Sequence, residues 1–282
     1  MGLHSQVRPT RVPEAVVGLA RSQPFSPVAL RLLQLVKDED VSFREVAVLM
    51  SRDAALSAEV LRLANSPVLG IRCEVRSVLQ AISLLGLKRV VPLFMTSAVG
   101  RFCWPRTKSP LVRHIWRHGL ATAFICENLG PQLQPMDHAY TAGLLHGLGQ
   151  TALLALDAGR YEELAEISKN EGLRTSDVEA GTLGMTHAEA SGLLLERWSL
   201  PAALVGSARE HEAPCEQANT LNGIVQAGCR VAEWLGFGGC ESFAPPVERP
   251  ELPAGVRQIL GNKQLLDHIA EQINAVEIAL WV

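Results

Sequence analysis

Apolar residues recur at spacings of three and four along most of this 282-residue chain. Leu32, Leu33, Leu35 and Val36 form one stripe, and Val46, Leu49 and Met50 a second. Leu56, Val60, Leu61 and Leu63 form a third, and Leu79, Ile82 and Leu85 a fourth. Such spacing gathers apolar side chains on one side of a helix of 3.6 residues per turn. No comparable stretch alternates with the period of two that a half-buried strand requires, so the pattern predicts an all-α protein.

Helix starts are marked independently. Ser42 to Glu45, Ser77 to Gln80, Ser176 to Glu179 and Thr186 to Glu189 each place a hydroxyl three residues before an acid or amide. In that capping-box spacing the two side chains satisfy backbone amides reciprocally. The longest apolar stretch, Tyr140 to Leu156, is interrupted by His146, Gln150 and three glycines. It falls short of the roughly 20 apolar residues that span a bilayer and reads as buried helix with a turn inside it.

Breaks divide the chain. Phe102 to Pro110 carries two prolines and no helical period, with Ser109 a predicted N-cap and Pro110 the first helical residue. Gly236 to Gly255 is rich in proline and glycine, and an amphipathic stretch from Lys263 to Leu280 follows it. The expected organisation is an N-terminal arm (1–24), an N-terminal helical lobe (25–104), a second helical lobe (105–237), and a Pro/Gly linker with a C-terminal helix (238–282). That last helix either docks on the body or serves an interface. There is no repeat of fixed period.

Composition narrows the function classes. Apolar residues make up 48% of the chain and charged residues 20%, which suits a packed core. A net charge of -3 removes the general phosphate attraction behind most nucleic-acid binding, so no nucleic-acid partner is expected. The six cysteines contain no CxxC pair, and Arg8, Pro9, Arg11 and Pro13 break any export signal near Met1. Reduced thiols and a cytoplasmic location are expected, with no membrane association.

The chemistry concentrates in the second lobe, where His118, His146, His187 and His211 lie on or beside neighbouring predicted helices. Histidines from several helices build a metal or ligand site when they meet in space; singly, each is more often a cap or a satisfied core residue. His114 and His118 share a helix face at i, i+4, but no third ligand accompanies them and His114 reads as surface. Glu179 has a complete structural role in its expected capping box. Asn65-Ser66-Pro67 reads as a helix-ending turn, and Trp116, Trp198 and Trp234 as packing residues, with pocket lining the minority reading.

The segments Ser51-Arg52-Asp53-Ala54-Ala55-Leu56, Val60-Leu61-Arg62-Leu63-Ala64-Asn65-Ser66-Pro67 and Gln80-Ala81-Ile82-Ser83-Leu84-Leu85-Gly86 resemble the first lobe of HDOD domains. In the second lobe Trp116-Arg117-His118-Gly119, Gly143-Leu144-Leu145-His146-Gly147-Leu148-Gly149, Glu179 with Gly184 and His187, Trp198-Ser199-Leu200-Pro201 and His211 carry the same resemblance, which covers about Phe25 to Phe237. HDOD domains look like inactive relatives of the HD and HD-GYP metal-dependent phosphohydrolases. The resemblance implies an HD-like helical bundle in the second lobe and a role in bacterial signal transduction through protein contact, in company with two-component or cyclic-di-GMP turnover proteins.

Two departures matter. Active HD enzymes carry a His-Asp pair where this chain has His146-Gly147, and their last metal aspartate aligns with Cys229, beside Arg230. Hard metals prefer oxygen donors, and the expectation is a protein without catalytic residues or cofactor, whose vestigial pocket of His118, His146, Gly147, His187, His211 and Cys229 binds a ligand. The alternative for Cys229 is a soft donor completing a zinc site with His118 and His146; against it stands a small buried apolar cysteine. The alternative for the whole chain is a degenerate phosphohydrolase of nucleotides or cyclic dinucleotides in which His187 and His211 add ligands, although no carboxylate bridge accompanies them.

Overall fold

The computed structural model describes residues 12–22, 24–38, 40–66, 69, 71–103, 109–133, 138–239 and 251–281. Among them there are helices and no strands, as the apolar spacing predicts. No helix among the described residues is long and apolar enough to cross a membrane.

The first lobe packs α2 (Pro27–Leu35), α3 (Phe43–Met50), α4 (Ala54–Ala64), α5 (Val78–Leu85) and the long α6 (Leu87–Cys103). Their starts follow the cap signals. Ser42 and Glu45 form a complete capping box on α3, and the Ser77 side chain caps α5 by accepting from the Gln80 amide. Gln80 does not close that box: its side-chain oxygen accepts from the amide of Arg76 instead. Asn65 ends α4, and its side chain both donates to and accepts from the backbone of Val75, at 2.9 and 2.8 Å. The predicted turn is thus a clamp across ten residues; Pro67 lies outside the described residues.

The second lobe contains α7 (Leu111–Leu133), α8 (Ala139–Leu145), α9 (Leu148–Leu156), α10 (Ala158–Glu171), α11 (Thr175–Leu183), α12 (His187–Arg197), α13 (Ala202–Glu210) and α14 (Leu221–Trp234). The helix α7 begins one residue after Pro110, and the Ser109 hydroxyl accepts from the Leu111 amide. The stretch from Tyr140 to Leu156 is two buried helices with a corner at His146 and Gly147. Thr186 and Glu189 form the expected capping box on α12. The box at Ser176 is not formed: α11 starts at Thr175 after Arg174, and Glu179 sits inside the helix, fully buried.

Residues 1–24 were expected to form an arm, but they include a helix, α1 (Val12–Ser22), that packs on α9 and α12. Trp198 joins it to both lobes. Its indole N–H donates to Ala20 O at 3.2 Å, while its ring stacks on Phe25 and meets Phe102 edge-on. A single apolar core runs through both lobes, and Tyr140 and Thr96 hydrogen-bond across them at 2.6 Å. Most of the linker, including Cys240 and the Pro/Gly stretch 240–250, lies outside the described residues. After α15 (Ala254–Ile259), the last helix α16 (Lys263–Trp281) docks on α7 and α4 with Ile269, Ile273 and Val276 buried.

Candidate functional site

One helix interior and three helix ends deliver the four histidines. His118 projects from the middle of α7, His146 stands at the end of α8, His187 is the first residue of α12 behind its capping box, and His211 closes α13. Cys229 comes from α14. All five are buried, and with Gly147 they line one cavity of about 20 Å³, room for no more than about one water molecule. The six residues singled out in the sequence therefore meet in space. His114 is half-buried and does not line this cavity.

The hydrogen bonds fix which ring nitrogen faces inward. The Nδ1 of His118, His146 and His211 lies 2.8, 2.6 and 2.7 Å from the backbone oxygens of Phe237, Gly143 and Ala208. A carbonyl only accepts, so each Nδ1 carries the proton and, in a neutral ring, each Nε2 presents a lone pair. The Nδ1 of His187 faces Glu179 Oε2 at 2.7 Å, with the same consequence, and the same carboxylate oxygen accepts from the His187 amide at 2.6 Å. Tyr161 donates to the other Glu179 oxygen. Glu179 is thus the anchor of His187 rather than a helix cap.

His118, His146 and His211 are neutral. Burial lowers the pKa of His118 to about 4, against the Phe237 carbonyl, which favours the charged form. Burial first, and then neighbouring imidazoles, hold His146 and His211 well below the ordinary histidine value. His118 and His146 consequently oppose lone pairs at 3.0 Å between their Nε2 atoms, while His187 Nε2, with the Glu212 carboxylate also in reach, lies 3.2 Å from that of His211. Unprotonated nitrogens at such distances repel unless a cation or a shared proton lies between them.

The donor sets differ in character. His118, His146 and Cys229 bring two nitrogens and a sulfur within 4.8 Å of one another, and Cys229 Sγ lies 3.4 Å from His118 Nε2. His187 and His211 are joined within the same limit by Glu212, whose Oε1 stands 3.5 Å from His187 Nε2. Glu212 thus sets a carboxylate beside these two histidines. Glu233 also reaches the cavity, 3.5 Å from Cys229 Sγ, and Gln150 Oε1 is buried there without a hydrogen-bond partner.

The motif around His146 contains three glycines with different reasons. A Cβ on Gly143 would lie 2.8 Å from the backbone of Ala123, and one on Gly149 would collide with His187 O at 2.0 Å. Both are required by close helix packing. A Cβ on Gly147 would meet nothing within 4 Å, and its φ of -94° suits any residue. The backbone does not demand glycine at this position.

The HDOD domain family matches residues 23–214. The chain belongs to the HDOD domain family. It is 24% identical over 211 residues, 73% of its length, to an uncharacterised protein of Treponema pallidum, and it spans 40% of the length of that curated relative. Its fold is similar to that of an HDOD domain protein of unknown function from Geobacter sulfurreducens, with a TM-score of 0.68, 22% identity, and 95% and 93% of the two chains covered. A candidate signal transduction protein from Marinobacter aquaeolei superposes with a TM-score of 0.69 at 18% identity, covering 96% of this chain and 65% of the other. A candidate phosphohydrolase from Shewanella amazonensis gives 0.65 at 22% identity, with 96% and 100% covered.

Sequence reasoning about this HDOD chain passed over Glu212, Glu233 and Gln150. Two of them left a signal: Glu212 follows His211, and Glu233 is one helical turn beyond Cys229 on the same face.

Proposed function

We propose that this HDOD protein is a non-catalytic, cytoplasmic module of bacterial signal transduction that acts by binding a protein partner or a small ligand. The observation that carries the reading is the closure of the histidine cavity. With about 20 Å³ inside it and its histidines no more than 5% exposed, a phosphate ester has no place beside the Nε2 atoms. Gly147 adds no carboxylate to hold a catalytic ion. Partners of the two-component or cyclic-di-GMP kind agree with the company that the family resemblance implies, and the Marinobacter neighbour is itself a candidate signal transduction protein.

The test is a hydrolysis panel of nucleotides and cyclic dinucleotides with Mn²⁺, Fe²⁺ and Zn²⁺. No turnover is expected; turnover that His146→Ala abolishes overturns the reading and restores the phosphohydrolase alternative.

The opposed lone pairs support a second proposal, that His118, His146 and Cys229 hold a zinc ion. Two imidazoles and a thiolate suit zinc better than a hard metal, and the carbonyl-anchored Nδ1 atoms already orient two of the ligands. In a cavity this closed the ion would tie α7, the α8–α9 corner and α14 together. Elemental analysis of protein purified without chelator decides: close to one equivalent of zinc, lost in Cys229→Ser, supports the site, and less than about a tenth of an equivalent sinks it.

A further inference from the structure

A groove of about 490 Å³ opens to solvent between α2 and α3 of the first lobe, and none of its described lining residues belongs to the histidine cavity. Leu49 is buried and Leu35 half-buried, so they lie deepest in it, while Val48 is 56% exposed. Helical spacing puts these residues together with cations. Arg31 and Leu35 stand four residues apart on α2, and Arg44, Val48 and Arg52 follow at intervals of four along α3 and the turn beyond it. Each helix therefore brings guanidinium and apolar groups to the same side.

The charge of the groove is one-sided. Arg31, Arg44 and Arg52 are exposed, and among the described residues none of the three is paired with a carboxylate. Arg31 donates only to the neutral side chain of Gln34, at 3.1 Å. The acid among the described lining residues, Glu45, is committed to the cap of α3, where it accepts from the amide and the hydroxyl of Ser42 at 3.0 and 2.7 Å. In a chain of net charge -3, three such guanidiniums around apolar side chains are a local reversal of sign. Guanidinium groups bind carboxylates through two parallel hydrogen bonds, and arginine beside apolar surface is enriched at protein interfaces.

Other occupants fit this groove worse. A second copy docked on the same face about a two-fold axis would set three arginines against three arginines. Lipid headgroups form a plane that meets Val48 but not the recessed Leu49. A nucleic-acid backbone supplies anions and leaves the apolar side chains without a partner. A peptide with acids flanking an apolar stripe supplies both contacts.

We infer that the groove between α2 and α3 is the docking site for an acidic amphipathic segment of a partner protein. Its apolar side chains enter over Leu35, Val48 and Leu49, and its Asp or Glu side chains pair with Arg31, Arg44 and Arg52. This docking surface rests on the reading of the chain as a binder of proteins, and it gives the partner a chemistry.

The experiment is selection of phage-displayed random peptides of about 16 residues on the full chain, with the double variant Arg31→Glu/Arg44→Glu as the counter-target. Sequences that set Asp or Glu beside an apolar stripe are expected to be enriched on the wild type and not on the variant. The most enriched peptide, labelled and titrated by fluorescence anisotropy, is expected to bind the double variant about tenfold or more weakly, and Val48→Ser about threefold more weakly. The same peptide with Lys for its acids is expected to lose the wild type and to recover affinity for the double variant. Circular dichroism verifies that both variants fold. The inference is overturned by absence of enrichment that depends on the two arginines, by enriched peptides without acids, or by binding to phosphatidylglycerol vesicles or duplex DNA that the double variant loses. Failure here with no hydrolysis of nucleotides removes this groove alone, whereas turnover that depends on His146 removes the reading beneath it.

Discussion

His118 and His146 face each other through their Nε2 atoms at 3.0 Å, while the opposite nitrogen of each ring donates to a backbone carbonyl. Neither ring can turn away without abandoning a buried hydrogen bond. The pair is held in a geometry suited to an electrophile between the two rings; the resemblance to active HD enzymes would set carboxylate companions where Gly147 and Cys229 stand.

Restoring those companions is sterically permitted at one position. Because a Cβ on Gly147 meets nothing within 4 Å, the double variant Gly147→Asp/Cys229→Asp is expected to fold and to take up Mn²⁺. The wild type is expected to show at least tenfold weaker Mn²⁺ binding in the same titration, a difference of about 1.4 kcal/mol. Equal affinities would mean that the missing carboxylates do not govern metal choice.

Gly149 predicts the opposite behaviour. Its added Cβ would strike His187 O at 2.0 Å and Ser191 N at 2.6 Å, so Gly149→Ala forces α9 away from α12. A loss of about 1–3 kcal/mol or more is expected, read as a fall in the urea midpoint. An unchanged midpoint would show that this helix contact yields easily.

Glu179 is fully buried and bonded to Tyr161 and to both nitrogens it faces on His187. Glu179→Ala strands those donors, and a destabilisation of about 3–5 kcal/mol is expected from leaving a buried polar network half-made. Thermal unfolding measures it; a shift of less than a degree would contradict the anchor role.

The carboxyl of Glu127 is raised from 4.5 to about 7 by burial, with Arg89 pulling the other way. Below pH 4.5 it is protonated in both folded and unfolded chains and costs nothing. As pH rises from 4.5 to 7 the unfolded chain ionises first, so stability falls, and the full penalty is present above pH 7. Glu127→Gln is therefore expected to stabilise the protein by about 2 kcal/mol at pH 8 and by almost nothing at pH 4.5, measured by urea unfolding. Equal gains at both pH values would contradict the burial of this group.

Much of this molecule is legible in its sequence for physical reasons. Helical spacing needs only local chemistry, which is why the corner at His146 and Gly147 and the capping boxes at Ser42 and Thr186 appear where the residues place them. Ser176 misled because the same hydroxyl-to-acid spacing also occurs inside a helix, and the distant Tyr161 and His187 compete more strongly for the Glu179 carboxylate than a backbone amide does. The docking of α1 was not legible, since it depends on Trp198 meeting Ala20 178 residues away. Glu212 was hidden differently: its charge is ordinary in a chain of mixed charge, and only the fold turns it towards His187.

Trp198 also bears on how the protein loses its structure. One indole touches α1 through Ala20, the first lobe through Phe25 and Phe102, and the second lobe through its own helix end. Parts that share an anchor cannot melt in succession without exposing it to water. Heating is therefore expected to give a single calorimetric transition in which α1 and both lobes unfold together.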